Sequence, residues 1–479
     1  MILTSTKKKS LLLIALSAAT MMVFLDESAV GVTLPSIQKD IGLSVLGMQW
    51  VMNAFLLLLA LFVLAGGRVA DYVGHRKIFL IGMGLFLIAS LGCGLAQHQW
   101  ELIFARALQG FGASLLVPTS MTITNMRFPA SERGKAMGTI VSFSSLFMAA
   151  GPFVGGVFAE YLSWRWIFLL NIPLALISIA FVLSAISHDE PPHASCRFDV
   201  PGLFVFGLAL CGLILGLSSA VNSGWDSSLT LVLFGLSVVG LILFIWVELK
   251  TQYPLINLKL LGNKAFLAGN VILFCGQQSV ISMIFWAIWL QVSLGFSPLM
   301  AGLALIPTTG PIIIMARLGG IWLDRLGPRL PIILGMGLIL LGTIWISIWA
   351  QEGSYLWILF GLLCCGIGTP LIMPTAITTV IASAPPGQQG MAAGTLNTMR
   401  QVGATLGLAV IGTVISHYEL LETHGVSAKF LGHAIYSHIY TKAFTEGMWV
   451  STGFALVAFI FAMTCLPKRL SGAVESGGH

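Results

Sequence analysis

Four charged side chains stand inside runs that are otherwise almost free of charge: Asp26 and Glu27 within residues 10–34, Arg106 within 101–125 and Arg400 within 389–416. In a bilayer each such charge costs about 2.5–3.5 kcal/mol on insertion scales, so each marks an ion or substrate path by default. Two acids and two bases sum to zero. At about 1.5 Å per helical residue, Asp26 lies roughly 6 Å and Arg106 roughly 10 Å to the same side of the middle of their runs, level enough to pair. A purely structural ion pair is the plain alternative. An adjacent Asp-Glu is better explained by a carboxyl group that must change charge, and proton coupling is therefore expected at Asp26 and Glu27 with Arg106 as partner.

A second group of residues suits substrate contact. Gln278, Ser282, Phe285 and Trp289 follow at i, i+4, i+7 and i+11, one polar-aromatic stripe. It lines a pocket, or its tryptophans and Trp286 anchor the helix at a membrane interface. Asp26, Glu27, Asn53, Asn397 and Arg400 complete the expected substrate-binding set. Small residues at Gly110, Gly112, Ala113 and Ser114, and again at Gly151-Pro152 and Gly155-Gly156, allow close helix approach. Pro152 also removes a backbone donor, and a kink is expected there.

Other chemistries are poorly supported. The chain has no G-x-x-x-x-G-K-[ST] phosphate loop and no H-E-x-x-H. Its histidines fall in loops, at run ends or in the tail, so an intramembrane enzyme is not expected. Of the seven cysteines, all but Cys196 lie in apolar runs without a C-x-x-C pair, so neither a disulfide framework nor a zinc site is signalled. His417, His424, His433 and His438 read as a solvated loop rather than a metal site. No cofactor is expected, the proton gradient being the energy source. The net charge of +6 is spread over short loops and forms no nucleic-acid patch.

The elements that must position these groups are membrane helices. Charged residues are 9% of the chain and hydrophobic residues 57%, against about a quarter charged in soluble domains, so the main solvent is lipid. Long apolar runs occupy 10–34, 48–70, 78–97, 101–125, 134–160, 164–187, 200–220, 229–249, 265–293, 298–320, 330–350, 354–381, 389–416 and 446–466. Runs of about 20 residues span as helices because the backbone must satisfy its own hydrogen bonds there. Lys7, Lys8 and Lys9 ahead of the first run resemble a signal peptide, but that run is long enough to span. An even number of spans puts both termini on one side. Alternate loops gather Lys7, Lys8, Lys9, Arg76, Lys77, Arg127, Arg133, Lys135, Arg197, Lys250, Lys259, Lys264, Arg325, Arg329, Lys468 and Arg469, whereas the others hold only Lys39, Arg165, Lys429 and Lys442. Positive residues stay inside, so both termini are expected in the cytoplasm.

An internal repeat organises the spans. Gly67, Asp71, Gly74 and Arg76 return as Gly320, Asp324, Gly327 and Arg329 at an offset of 253. Gly110, Gly112 and Pro118 return as Gly366, Gly368 and Pro374, and Gly134, Gly138, Thr139 and Gly151 as Gly390, Gly394, Thr395 and Gly407, at an offset of 256. The fold class is therefore all-α: a polytopic membrane protein of two six-helix bundles, 1–187 and 265–479. A polar segment (187–199) and two extra helices fill 188–264. Parallel repeats with a site at their interface are the plan of a secondary transporter. The repeated segment Gly66–Lys77, GGRVADYVGHRK, reads as a loop between helices. Gly67, Asp71, Gly74 and Arg76, with Asp324, Arg325, Arg329, Gly151 and Pro152, are the expected gating residues.

These motifs resemble the major facilitator superfamily, and more narrowly its fourteen-span drug:proton antiporter branch of the EmrB/QacA type. DESAVGVTLPSI from Asp26 to Ile37 is similar to the first-helix signature, GGRVADYVGHRK to the gating-loop motif and RALQGFG from Arg106 to Gly112 to the fourth-helix motif. GPFVGG from Gly151 to Gly156 is similar to the fifth-helix antiporter motif, and WRWIFLLNIP from Trp164 opens the sixth helix in the same style. The resemblance implies multidrug efflux from a bacterial cytoplasmic membrane, with Arg106 implicated in proton transfer. It implies small-molecule substrates, protons and lipid as partners, and the branch admits a periplasmic adaptor protein. Three departures stand out: Glu27 where small or hydroxyl residues are common, Phe55 where a tyrosine is common, and no acid in the tenth span. With two acids in the first helix, lipophilic monocations or neutral amphiphiles are the expected cargo. The alternative is a proton-coupled exporter of one metabolite such as a sugar, amino acid or siderophore.

Overall fold

A computed structural model of the chain describes residues 5–186, 199–251, 254–256, 258–385, 388–423 and 432–467. The polar segment up to residue 198, with Cys196 and Arg197, lies outside the described residues, as do His424, Lys429, Lys468 and Arg469. Among the described residues, regular structure is helical throughout. Fourteen helices are long and apolar enough to cross a bilayer, and the chain is a multi-pass membrane protein. They are α1 (Thr6–Ile41), α2 (Leu46–Val73), α3 (His75–Leu95), α4 (Gln99–Arg127), α5 (Ser131–Tyr161), α6 (Arg165–Ala185) and α7 (Val200–Ser223). The rest are α8 (Ser228–Lys250), α9 (Lys264–Val292), α10 (Pro298–Leu326), α11 (Arg329–Glu352), α12 (Tyr355–Ala382), α13 (Met391–Thr423) and α14 (His433–Cys465). Each expected span has its helix. Most extend past the apolar run, because a helix continues where its polar ends find partners.

Two such extensions correct the reading above. The segment Gly66–Lys77 is not a loop. α2 runs through Gly66 and Asp71 to Val73, α3 begins at His75, and the turn is Gly74 alone, at φ 113°. Its repeat behaves alike, with α10 ending at Leu326, Gly327 at φ 80° and α11 starting at Arg329. Only glycine adopts such angles without strain. The last helix begins at His433, thirteen residues before its apolar run, since its polar first turns pack on α13.

The chain forms two compact units, Met1–Leu203 with Ser297–Leu303, and Phe204–Phe296 with Ala304–His479. In the first, α5 packs along α1 and α4 crosses α2 and α3. A Cβ on Gly110 would lie 2.2 Å from the Phe55 carbonyl of α2, and one on Gly112 2.8 Å from the Phe86 nitrogen of α3. Gly151 and Gly155 press on Ser28 and Ala29 of α1 in the same way. α5 passes unbroken through Pro152, and Gly302 in the opening turn of α10 fits against the Pro152 carbonyl.

The second unit repeats the scheme. Gly366 of α12 meets Pro307 and Thr308 of α10, Gly368 meets Gly335 of α11, and Gly407 of α13 meets Gln278 of α9. The sequence repeat is thus a repeat of helix crossings. α7 and α8 pair with each other through Gly212, Gly240 and the Ser237 hydroxyl, which donates to the Ala209 carbonyl at 2.8 Å.

Candidate functional site: a buried ion pair and its hydrogen-bond network

Gly110 decides where Arg106 goes. Because α4 presses its glycine face onto α2, the side chain one turn earlier is driven into the interior of the first unit. Arg106 is 0% exposed and Asp26 of α1 is 1% exposed. Arg106 Nη1 donates to Asp26 Oδ2 and, at 2.8 Å, to Gln109 Oε1. Arg106 Nε donates to the Val51 carbonyl of α2 at 3.0 Å. Gln109 Nε2 in turn donates to Asp26 Oδ1 at 3.2 Å and to the Ser90 hydroxyl of α3 at 3.0 Å. Asn171 of α6 donates to the same hydroxyl at 3.4 Å. Five helices therefore meet on one carboxylate-guanidinium pair.

Arg106 Nη2 has no hydrogen-bond partner among the described residues. Aromatic faces stand beside the guanidinium instead, Phe55 at 4.2 Å and Phe168 at 5.8 Å from ring centroid to Cζ. The departure at Phe55 thus supplies a cation-π platform. An arginine is suited to this, being flat and weakly hydrated.

The chemistry follows from burial. A buried pair gains Coulomb energy only while both partners are charged, and removing one charge leaves the other uncompensated at a cost of about 3–5 kcal/mol. A proton added to Asp26 would cancel the attraction that ties α1 to α4. Such a pair can convert a change of protonation into a change of helix packing.

The other expected residues divide between the units. In the first, Glu27 is buried in α1, and Asn53 is buried in α2 with Oδ1 unpartnered among the described residues. In the second, Gln278 is buried with both amide atoms unpartnered among the described residues. The Ser282 hydroxyl is 3.1 Å from that of Ser451 on α14. Phe285 is buried beside it. Trp289 stacks on Phe444 and donates to Thr441, and Trp286 points at the Met448 sulfur. These tryptophans lie inside the unit and pack α9 on α14, so the interfacial-anchor reading is set aside. Asn397 donates to Ala393 of its own helix at 3.0 Å, with the partly buried Arg400 one turn on.

At the repeated turns, Gly67 lies against Pro118 and Arg76 opens α3. Asp71 pairs with His75 Nε2 at 3.1 Å. Asp324 and Arg325 are exposed in the last turn of α10, and Arg329 donates to the Met463 carbonyl at 2.7 Å.

Gln109, Ser90, Asn171 and His75 were not singled out by sequence. Gln109 carried a signal, since it follows Arg106 by three residues and so shares its helix face. Neutral amides and hydroxyls cost too little in a membrane to stand out as charges do.

The profile of the Major Facilitator Superfamily matches residues 16–408. The chain belongs to that superfamily. This superfamily chain is 32% identical over 419 residues to the multidrug resistance protein Stp of Mycobacterium tuberculosis (strain CDC 1551 / Oshkosh), covering 86% of the chain and 78% of Stp. It is 34% identical over 446 residues to the cephamycin export protein CmcT of Amycolatopsis lactamdurans, covering 90% and 91%. Among solved structures it is similar to a bacterial homolog of the human lysosomal transporter Spinster, with a TM-score of 0.67 at 16% identity over 98% of the chain and all of the homolog. At that identity the likeness concerns the fold. Superfamily membership makes the chain a transporter and not an enzyme.

Proposed function

We propose that the chain is a proton-coupled exporter that moves lipophilic monocationic or neutral small molecules outward by alternating access. The observation that carries the reading is the buried, hydrogen-bonded pair of Asp26 on α1 and Arg106 on α4, which sets a titratable carboxyl group against a fixed positive charge. The names of Stp and CmcT support efflux as the direction. In this reading Asp26 carries the proton, Arg106 and Gln109 hold the carboxylate between turnovers, and Glu27 adds negative charge for a cationic substrate. Asn53, Gln278, Ser282, Phe285, Asn397 and Arg400 contribute the substrate path. The membrane is a bacterial cytoplasmic membrane with both termini inside. The proton gradient supplies the energy, and a periplasmic adaptor is a further partner to be sought.

A narrower cargo is the second reading, favoured by the likeness to a protein named for export of one antibiotic. One experiment addresses both. Efflux and resistance are profiled with chemically diverse compounds in a pump-deficient host, with and without a proton uncoupler. Protection across unrelated lipophilic compounds that the uncoupler abolishes supports the first reading. Protection against one compound class selects the second. Efflux indifferent to the uncoupler sinks proton coupling in either.

A further inference from the structure

The seam between α13 and α14 in the second unit holds a carboxyl group that the mechanism above does not use. Glu419 stands four residues before the end of α13 at Thr423, about 6 Å along the axis, and is 7% exposed. Tyr436 of α14 donates its hydroxyl to Glu419 Oε1 at 2.8 Å. The other oxygen, Oε2, is buried and has no hydrogen-bond partner among the described residues.

Among the described residues, the groups around it carry no compensating positive charge. Tyr436 and Tyr440, ring centroids 6.3 Å apart, face it from α14. Lys442 is paired with Glu422 at 2.6 Å. On the same helix, His417 stands edge-on to Trp225 at 6.3 Å. On α14, His433 and His438 are exposed. α9, the next helix against α14, brings neutral groups to this level. Thr441 donates to the Ser293 hydroxyl at 2.8 Å and accepts from Trp289. Deeper in, Gly447 lets α14 close on Ile411 and Ile415, where a Cβ would meet Ile415 at 2.5 Å.

We propose that Glu419 is a proton-exchange site, a carboxyl group that takes up and releases a proton at the C-terminal end of α13, with Tyr436 holding the acid in place. An ionised carboxylate buried this far, with one donor and one bare oxygen, is costly. Either a cation or a proton can relieve that cost. Oε2 is closed off, which leaves no room for a metal ion or an organic cation, whereas a proton needs none. The exchange balances simply: hydronium gives its proton to Oε2 and leaves as water, and Oε1 keeps the bond from Tyr436. Because a charged Glu419 would draw water into the seam, its protonation favours the closed packing of α14 on α13.

The test needs no substrate, so it stands or falls apart from the efflux reading and from Asp26. Infrared difference spectra of the purified full chain in lipid are taken between about pH 5 and 9. The wild type should show a protonated-carboxyl carbonyl band that disappears on alkalinisation. Glu419→Gln, which preserves an acceptor for Tyr436, should lack one component of that band, and Asp26→Asn should retain that component. Tyr436→Phe keeps the ring and removes the donor, so the same component should move to higher wavenumber. A Glu419→Gln spectrum identical to the wild type would overturn the proposal and leave Glu419 as a structural tie between helices. Should Glu419→Gln fail to fold, an unshifted band in Tyr436→Phe overturns it equally.

Discussion

At the scale of single residues, the argument turns on what happens when one member of a buried pair loses its charge. Asp26→Asn keeps the shape and most hydrogen bonds of the site but cannot cycle a proton. Proton-driven efflux in vesicles should fall at least about tenfold, the factor equivalent to 1.4 kcal/mol. Exchange of substrate at equal proton potential should persist. Full uphill transport by this variant would contradict the assignment. Arg106→Gln should be worse for the fold, because it leaves Asp26 buried without its cation, a loss of about 3–5 kcal/mol. Combining it with Asp26→Asn should restore much of the thermal stability in detergent, since no lone charge then remains. A double variant no more stable than Arg106→Gln would show that the pair is not electrostatically coupled. Depth counting placed these two side chains at one level, which was legible because charges are rare in the runs. The three neutral groups that complete the network, Gln109, Ser90 and Asn171, were illegible for the opposite reason: polar neutral residues are common in membrane helices.

At the scale of elements, glycines determine how closely the helices approach. Gly110→Ala would place a methyl group 2.2 Å from a backbone carbonyl that cannot swing away. The expected loss exceeds the roughly 1–3 kcal/mol usual for overpacking, and Gly366→Ala at the repeated crossing, also 2.2 Å from a backbone carbonyl, should match it. Gly84 in α3 has open space where its Cβ would be, so Gly84→Ala should be neutral or gain up to about 1 kcal/mol through helix propensity. Melting temperatures of the three purified variants check the contrast. Equal effects at Gly84 and Gly110 would mean that helix propensity, and not close approach, explains the motif. The spans themselves were legible from hydropathy. Their ends were not, because hydropathy is blind to polar turns that find partners. The opening of α14 reads as loop by composition, yet Tyr436 docks it on α13. The segment around Gly74 likewise looked like a loop because it is rich in charge and glycine, although a single residue breaks the helix.

At the scale of the whole molecule, the two halves share a plan of crossings but not the chemistry at their repeated turns. Asp71 is held by His75 across the Gly74 turn, whereas the position matching His75 at the offset of 253 is Pro328. Asp324 is correspondingly exposed, and the basic group of its turn, Arg329, is tied to the end of α14. Among the described residues, a side-chain strap joins the helices on either side of the first turn, and no such strap spans the second. Surface pairs contribute about 0–1 kcal/mol, yet that is enough to bias a conformational equilibrium whose states differ by a few kcal/mol. Asp71→Asn should lower turnover several-fold while expression and equilibrium substrate binding survive, and Asp324→Asn should have a smaller effect. His75→Gln separates the two components of the strap. It retains an amide donor for Asp71 but can never be charged, so near-normal turnover would assign the effect to the hydrogen bond and a loss equal to Asp71→Asn would assign it to charge. Turnover is measured in proteoliposomes, alongside labelling of single cysteines placed next to the turn. If Asp71→Asn leaves both turnover and labelling as they are in the wild type, Gly74 is an ordinary tight turn and the asymmetry between the halves has no part in gating.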